Sequence, residues 1–252
     1  MKRGRYRIVN RKRFMAFAVG TSCAALLLAL MAILAIFYRD VPADGTPRNE
    51  DASAVGMGDV KGRDEIKWVK LTSEQTESVA NATASDASTP LNVKTVVSSC
   101  LSLVGKVNYF WGGKSTARGW DNNWGTMRTV AHSGSETTGE TRPFGLDCSG
   151  FVTWAFIQLE LDEEQVKDAI GEGTWNQWHK SVPIEWGELK PGDFAFQNEY
   201  PGAAENHIGI CIGKYNNEPV FVHCCYSENN VVVTTASDIF RFARRPSIFA
   251  EG

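Results

Sequence analysis

Three residues in this chain have the chemistry for nucleophilic attack on an amide: Cys148, His207 and His223. Cys148 lies in "FGLDCSGFVTWAF", where a polar turn passes directly into a long apolar run. Asp147 stands at the position of a helix cap and Cys148 at the first helical residue. A thiol there meets unpaired N–H groups and the positive end of the helix dipole. That setting predicts a pKa lowered from about 8.5 into the range ~3.5–7.5, and so a thiolate near neutrality. The charge of Asp147 opposes this, unless its side chain is taken up in capping. Gly150 leaves the backbone bare, so the sequence predicts that a substrate approaches closely there.

A thiolate that opens amides also needs a base and a group to orient that base. The chain has four histidines, His132, His179, His207 and His223. In the alternating stretch "HIGICIG", His207, Gly209 and Cys211 share one face, and Ile208, Ile210 and Ile212 share the other. In "PVFVHC", Phe221 and His223 lie opposite Val220 and Val222. A hairpin turning at Asn216-Asn217 is expected to place His223 across from Gly209, diagonal to His207. His207 then serves as base and His223 fixes its tautomer. His132, in "RTVAHSGSETTGE", and His179, in "TWNQWHKSVP", read as a solvated loop and a surface turn.

These groups need a domain to hold them, and composition locates it. The 252 residues carry 26 Lys and Arg against 29 Asp and Glu, unevenly spread. Residues 1–13 hold seven of the basic residues and no acid, leaving 19 basic against 29 acidic residues beyond. So acidic a body argues against nucleic acid as a partner, because phosphate binding needs clustered cations. From Phe14 to Tyr38 no charge occurs over 25 residues, enough to cross a hydrocarbon core of ~30 Å. With the basic tip (1–13) cytoplasmic, residues 14–38 form a single-pass membrane anchor and the remainder lies outside the membrane. The rival reading is a cleavable signal peptide with secretion. Its apolar stretch is normally shorter and ends in small residues, whereas this one ends in Tyr38-Arg39-Asp40.

Residues 39–90 read as an extracytoplasmic stalk, since "LTSEQTESVANATASDASTP" has almost no large apolar residue. The folded domain is expected over 91–252. An amphipathic helix, "LNVKTVVSSCLSLV", ends at Gly105, and the cysteine helix follows, apolar on nearly every face. A further helix begins after Asp162, which Gln165 completes as a capping box. Strands in "DFAF", "HIGICIG", "PVFVHC" and "VVVTT" come last. Helices followed by antiparallel strands make an α+β domain. The six cysteines form no disulfide framework in a domain this large, and no spacing suggests a metal site.

The ordered motifs "YFWGG", "LDCSGFV", "LKPGDFAF", "HIGICIG" and "FVHC" resemble those of NlpC-type peptidoglycan endopeptidases over about residues 91–245. The resemblance implies a papain-like fold, with a buried nucleophile helix at its N-terminal side packed on an antiparallel sheet. It implies Cys148 as nucleophile, His207 as base and His223 as orienting residue. Tyr109 would line the site and help polarise the scissile carbonyl, and Asp147 and Ser149 would bind the stem peptide or assist the oxyanion. The substrate it implies is the peptidoglycan stem peptide, cleaved between γ-D-glutamyl and a diamino acid, without metal or cofactor. Two alternatives stand beside it: an N-acetylmuramoyl-L-alanine amidase of similar fold, and a non-catalytic surface module that binds the wall. The stretch from Lys114 to Gly145 is longer than the connection in most relatives. Trp120 and Trp124 can pack it over the cleft or anchor it to the side of the domain. Nothing in the sequence sets an oligomeric state.

Overall fold

Among the described residues the first element is a strand that begins at Val69, well before the expected start at residue 91. The computed structural model describes residues 69–203, 206–235 and 239–250. The expected basic tip and membrane anchor lie outside the described residues. Among the described residues no helix is long and apolar enough to cross a membrane.

The elements run in the order β1 (Val69–Lys70), α1 (Ser73–Ser85), α2 (Leu91–Ser102), β2 (Met127–Thr129), β3 (Thr141–Pro143), α3 (Cys148–Ile157), α4 (Glu163–Ile170), α5 (Gly173–His179), β4 (Ser181–Pro183), β5 (Phe194–Phe196), β6 (Ile208–Tyr215), β7 (Glu218–Cys225), β8 (Asn230–Thr235), β9 (Phe242–Pro246) and α6 (Ser247–Ala250). Seven strands form one antiparallel sheet in the order β1-β8-β7-β6-β5-β9-β4, and β2 and β3 form a separate hairpin.

Residues 69–90, expected as part of a flexible stalk, are folded onto this domain. β1 pairs with β8, and α1 begins with a capping box between Thr72 and Gln75. Its only deeply buried side chains are Val79 and Thr83. So sparse an apolar face cannot fold alone, but it needs only a groove on β6, and Gly213 supplies one. A Cβ at Gly213 would lie 2.9 Å from both Val79 Cγ1 and Thr83 Oγ1. Thr83 Oγ1 donates to the Ile212 carbonyl at 2.7 Å.

The cysteine helix α3 begins at Cys148 as expected, and all ten of its residues are buried. It packs against the sheet face formed by Ile208, Ile210, Ile212, Val220 and Val222. Cys211, Phe221 and Phe240 belong to a second, smaller cluster on the other face. The Asp162–Gln165 capping box also forms as expected, at the start of α4. Cys100, Cys148, Cys211, Cys224 and Cys225 are free thiols.

Candidate active site

The nucleophile end of the site is set by backbone packed on backbone. Tyr109 bridges to Leu146, and the Phe110 N–H donates to the Leu146 carbonyl at 3.0 Å. The Asp147 N–H reaches the Gly113 carbonyl at 3.1 Å. Three glycines allow this approach. A Cβ at Gly145 would sit 1.9 Å from the Asn108 carbonyl oxygen, one at Gly113 2.3 Å from that of Gly145, and one at Gly150 2.1 Å from that of Gly113. The bare backbone at Gly150 is therefore filled by the protein's own chain and gives no approach to substrate, against the expectation from sequence.

Asp147 caps α3 as expected, accepting from the Gly150 N–H at 2.6 Å. Its charge is met by a residue that the sequence reading passed over. Lys114 Nζ lies 2.9 and 2.8 Å from the two carboxylate oxygens of Asp147, and 2.8 Å from Ser149 Oγ. Ser149 Oγ also donates to Asp147 Oδ1 at 2.8 Å. Lys114 opens the long insertion, where nothing in the local sequence marks it; only the fold carries it to the helix start.

Cys148 is 6% exposed. Its thiol donates to the Asn206 carbonyl at 3.9 Å, and the Ile208 and Ser149 N–H groups donate to the sulfur. The two strand contacts flank His207 in the chain, so the sulfur sits against the backbone that carries the imidazole. The thiol is not depressed as the sequence predicts. Burial, then the Asp147 charge, push it up to about 12, and Lys114 and the two N–H groups only partly offset them. Burial also pushes His207 down to about 4, and His223 falls well below the usual imidazole range. At rest the site therefore holds a neutral thiol and neutral imidazoles, not a preformed ion pair.

The two histidines meet, as the sequence predicts, though through a bulge that it does not predict. His207 Nε2 lies 2.8 Å from His223 Nδ1, and His223 Nε2 lies 3.0 Å from Thr234 Oγ1 on β8. With the protons on the two Nε2 atoms, His207 donates to His223 and His223 donates to Thr234. His207 Nδ1 is then left with its lone pair, as a base requires. Phe240 stacks on the His207 ring at 5.5 Å and 9°, and meets His223 edge-on at 5.3 Å. Gly209 makes room chiefly for this ring, because a Cβ there would lie 2.6 Å from Phe240 Cζ. Thr234 and Phe240 come from segments that carry no chemical signature, and the sequence reading missed both.

The register that joins the histidines depends on an irregularity. Asn216 and Asn217 make the turn, both at positive φ, and Tyr215 faces Glu218. Regular pairing from that turn would set His223 opposite Ile210, on the face away from His207. A bulge between Cys211 and Gly213 shifts the pairing, so that Ile210 faces Val222. His223 then falls beside Gly209 and on the same face as His207.

Tyr109 borders the site. It is buried, its ring meets Tyr226 edge-on at 5.5 Å, and burial, with the neighbouring Asp147 charge, keeps its hydroxyl protonated. The insertion is ordered around the β2–β3 hairpin. Trp124 is buried edge-on against Trp154, six residues along α3 from the nucleophile and so about 9 Å down its axis. Trp120 packs on Trp124 and stays 52% exposed. Trp124 thus ties the insertion to α3, with Trp120 packed on it. The hairpin tip reaches the site's surroundings instead, where Glu136 bonds the Tyr226 hydroxyl and Trp111 Nε1 donates to the Ser133 carbonyl. His132 packs beside Trp111 and Gly112, and His179 ends α5 on the surface, so neither joins the pair.

Comparison with known proteins gives a consistent family. A family model described as NlpC/P60 family matches residues 105–239, more than half of the chain. No curated protein matches this chain. Among solved structures, the peptidoglycan hydrolase RipB from Mycobacterium tuberculosis is 20% identical, covering 68% of this chain and 81% of its own, with a TM-score of 0.43. The NlpC/p60 domain of the peptidoglycan hydrolase SagA is 22% identical, covering 61% and 98%, with a TM-score of 0.40. RipD from Mycobacterium tuberculosis, described as a non-catalytic NlpC/p60 domain protein adapted to peptidoglycan binding, is 15% identical, covering 62% and 98%, with a TM-score of 0.41.

Proposed function

The chain belongs to the NlpC/P60 family of peptidoglycan hydrolases, and from that premise we propose that it is a cysteine endopeptidase of the bacterial cell wall. Its substrate is the peptidoglycan stem peptide, cut between γ-D-glutamyl and a diamino acid. The observation that carries this reading is the relay from His207 to His223 to Thr234, set at the strand start where the Cys148 sulfur also lies.

The mechanism follows from the neutral resting pair. His207 Nδ1 takes the thiol proton as the sulfur attacks the scissile carbonyl, so thiolate forms only with substrate in place. The imidazolium that results is stabilised through Nε2–H by His223. The oxyanion meets N–H groups at the start of α3, including that of Cys148, and the protonated Tyr109 hydroxyl. His207 then delivers its proton to the leaving amine, and the thioester is hydrolysed by water that the same imidazole activates. Asp147 and Ser149 hold the nucleophile helix in this scheme and do not contact substrate directly. Residues 14–38 would tether the enzyme in the cytoplasmic membrane, with the catalytic domain facing the wall.

The test is incubation of the full-length protein with purified muropeptides, following new free amines and identifying the new termini by mass spectrometry. Cleavage is expected, and Cys148→Ala should lower it by roughly 10⁴-fold or more. Activity that survives Cys148→Ala would end the mechanism. A new terminus on L-alanine next to the muramoyl group would mark an amidase instead. The buried, protonated thiol suits one further reading, a catalytically silent module that binds the wall. Binding of muropeptides without turnover would establish that reading.

A further inference from the structure

Lys114 places an ammonium where a carboxylate and a hydroxyl converge beside the nucleophile. Its three N–H bonds have three acceptors within 2.9 Å: both oxygens of Asp147 and the Ser149 hydroxyl. The donor set is therefore complete. Asp147 and Ser149 are nearly sealed, whereas the Lys114 side chain is 33% exposed. Whatever reaches this corner from outside meets the lysine, not the carboxylate. Resting on the hydrolase reading above, we propose that Lys114 is a positioning residue that serves as a built-in counter-ion. It neutralises the cap of the nucleophile helix and closes this corner to positively charged groups of the substrate, so the enzyme favours wall peptides whose neighbouring amine is acylated.

Two consequences follow, and both come from charge. First, the cap can hold the helix start without its full negative field falling on the sulfur. The titratable and charged groups around the thiol are Asp147 and Lys114 at the helix start, Tyr109 across the Leu146 bridge, Cys224 on β7, and the His207–His223 pair. Among the described residues Lys114 is the cation whose charge acts on the sulfur. Second, an incoming ammonium meets a like charge here, and to take both oxygens of Asp147 it would have to displace a lysine already bound at three points. Removing that lysine would turn the corner into a cation site.

The experiment compares wild type, Lys114→Met and Lys114→Arg in the full-length protein, with circular dichroism to confirm folding. In the first arm, the rate of Cys148 alkylation by iodoacetamide is followed against pH. Lys114→Met should move the profile to higher pH, slowing alkylation about tenfold at a given pH below the inflection, and Lys114→Arg should stay near wild type. A Lys114→Met profile that overlays wild type, or a Lys114→Arg shift as large, would overturn the role assigned to the charge. In the second arm, one synthetic stem peptide is offered with its N-terminal amine free and acetylated. Wild type should prefer the acetylated form, and Lys114→Met should move the ratio about tenfold toward the free amine. An unchanged ratio would overturn the closed corner. The alkylation arm needs no turnover, so a wild-type protein that cleaves neither peptide counts against the hydrolase reading alone.

Discussion

The nucleophile side and the base side of this site are held by different kinds of contact. Cys148 is placed by main chain: Gly113, Gly145 and Gly150 let two segments lie closer than any side chain allows, and Asp147 caps the helix that results. His207 is placed by side chains, between the Phe240 ring and the His223 imidazole. Close-packed backbone cannot yield to a substitution, while a stack and a hydrogen bond can re-form around one. Faults on the first side should therefore appear as loss of folding, and faults on the second as loss of turnover in a folded protein.

The sharpest way to break this contrast is Gly145→Ala. Its Cβ would lie 1.9 Å from a carbonyl oxygen, so we expect destabilisation above about 4 kcal/mol, read by urea unfolding. A variant that folds normally would refute the account of the nucleophile side. His207→Ala should behave oppositely, lowering kcat by roughly 10³-fold while circular dichroism and Tm stay close to wild type. A Tm collapse there would erase the distinction between the two sides.

Acid titration sharpens the comparison, because the base side carries one buried and one half-buried imidazole. His207 is held near 4 in the folded protein against about 6.5 when unfolded. Between those values the unfolded chain binds the extra proton, so stability should fall as pH drops from about 6.5 to about 4. His223 is shifted the same way and adds to the slope. Urea midpoints across that window should decline in wild type and decline less in His207→Gln. A smaller effect is expected at the end of the relay. Thr234→Val should cost about 1 kcal/mol and lower kcat less than His207→Ala does. The smallest is Trp120→Ala, within about 0.5 kcal/mol of wild-type stability and without effect on cleavage.

The same division explains what could be read from sequence. Period and cap chemistry are local, so the start of α3 and the Asp162 capping box were legible; the histidine pair was expected, but the bulge that puts both rings on one face was not. Long-range pairings were not. Lys114 reaches Asp147 across 33 residues, and Thr234 meets His223 only because β8 lies beside β7. The thiol's acidity was misread for a related reason. The helix start was visible in the sequence, but the depth of burial that outweighs it is a property of the whole fold. The polar stretch before residue 90 misled because its two buried side chains, Val79 and Thr83, need a partner strand to show their purpose.

The bulge between Cys211 and Gly213 gives the β6–β7 hairpin an odd–even rule. Deleting a single residue there, or adding one to the Asn216-Asn217 loop, would leave both strands zipped yet turn the second imidazole to the opposite side of the sheet. Changes of two residues would restore it. Length drift in this hairpin should thus be tolerated only in even steps, a constraint on homologous loops that no individual side chain reveals.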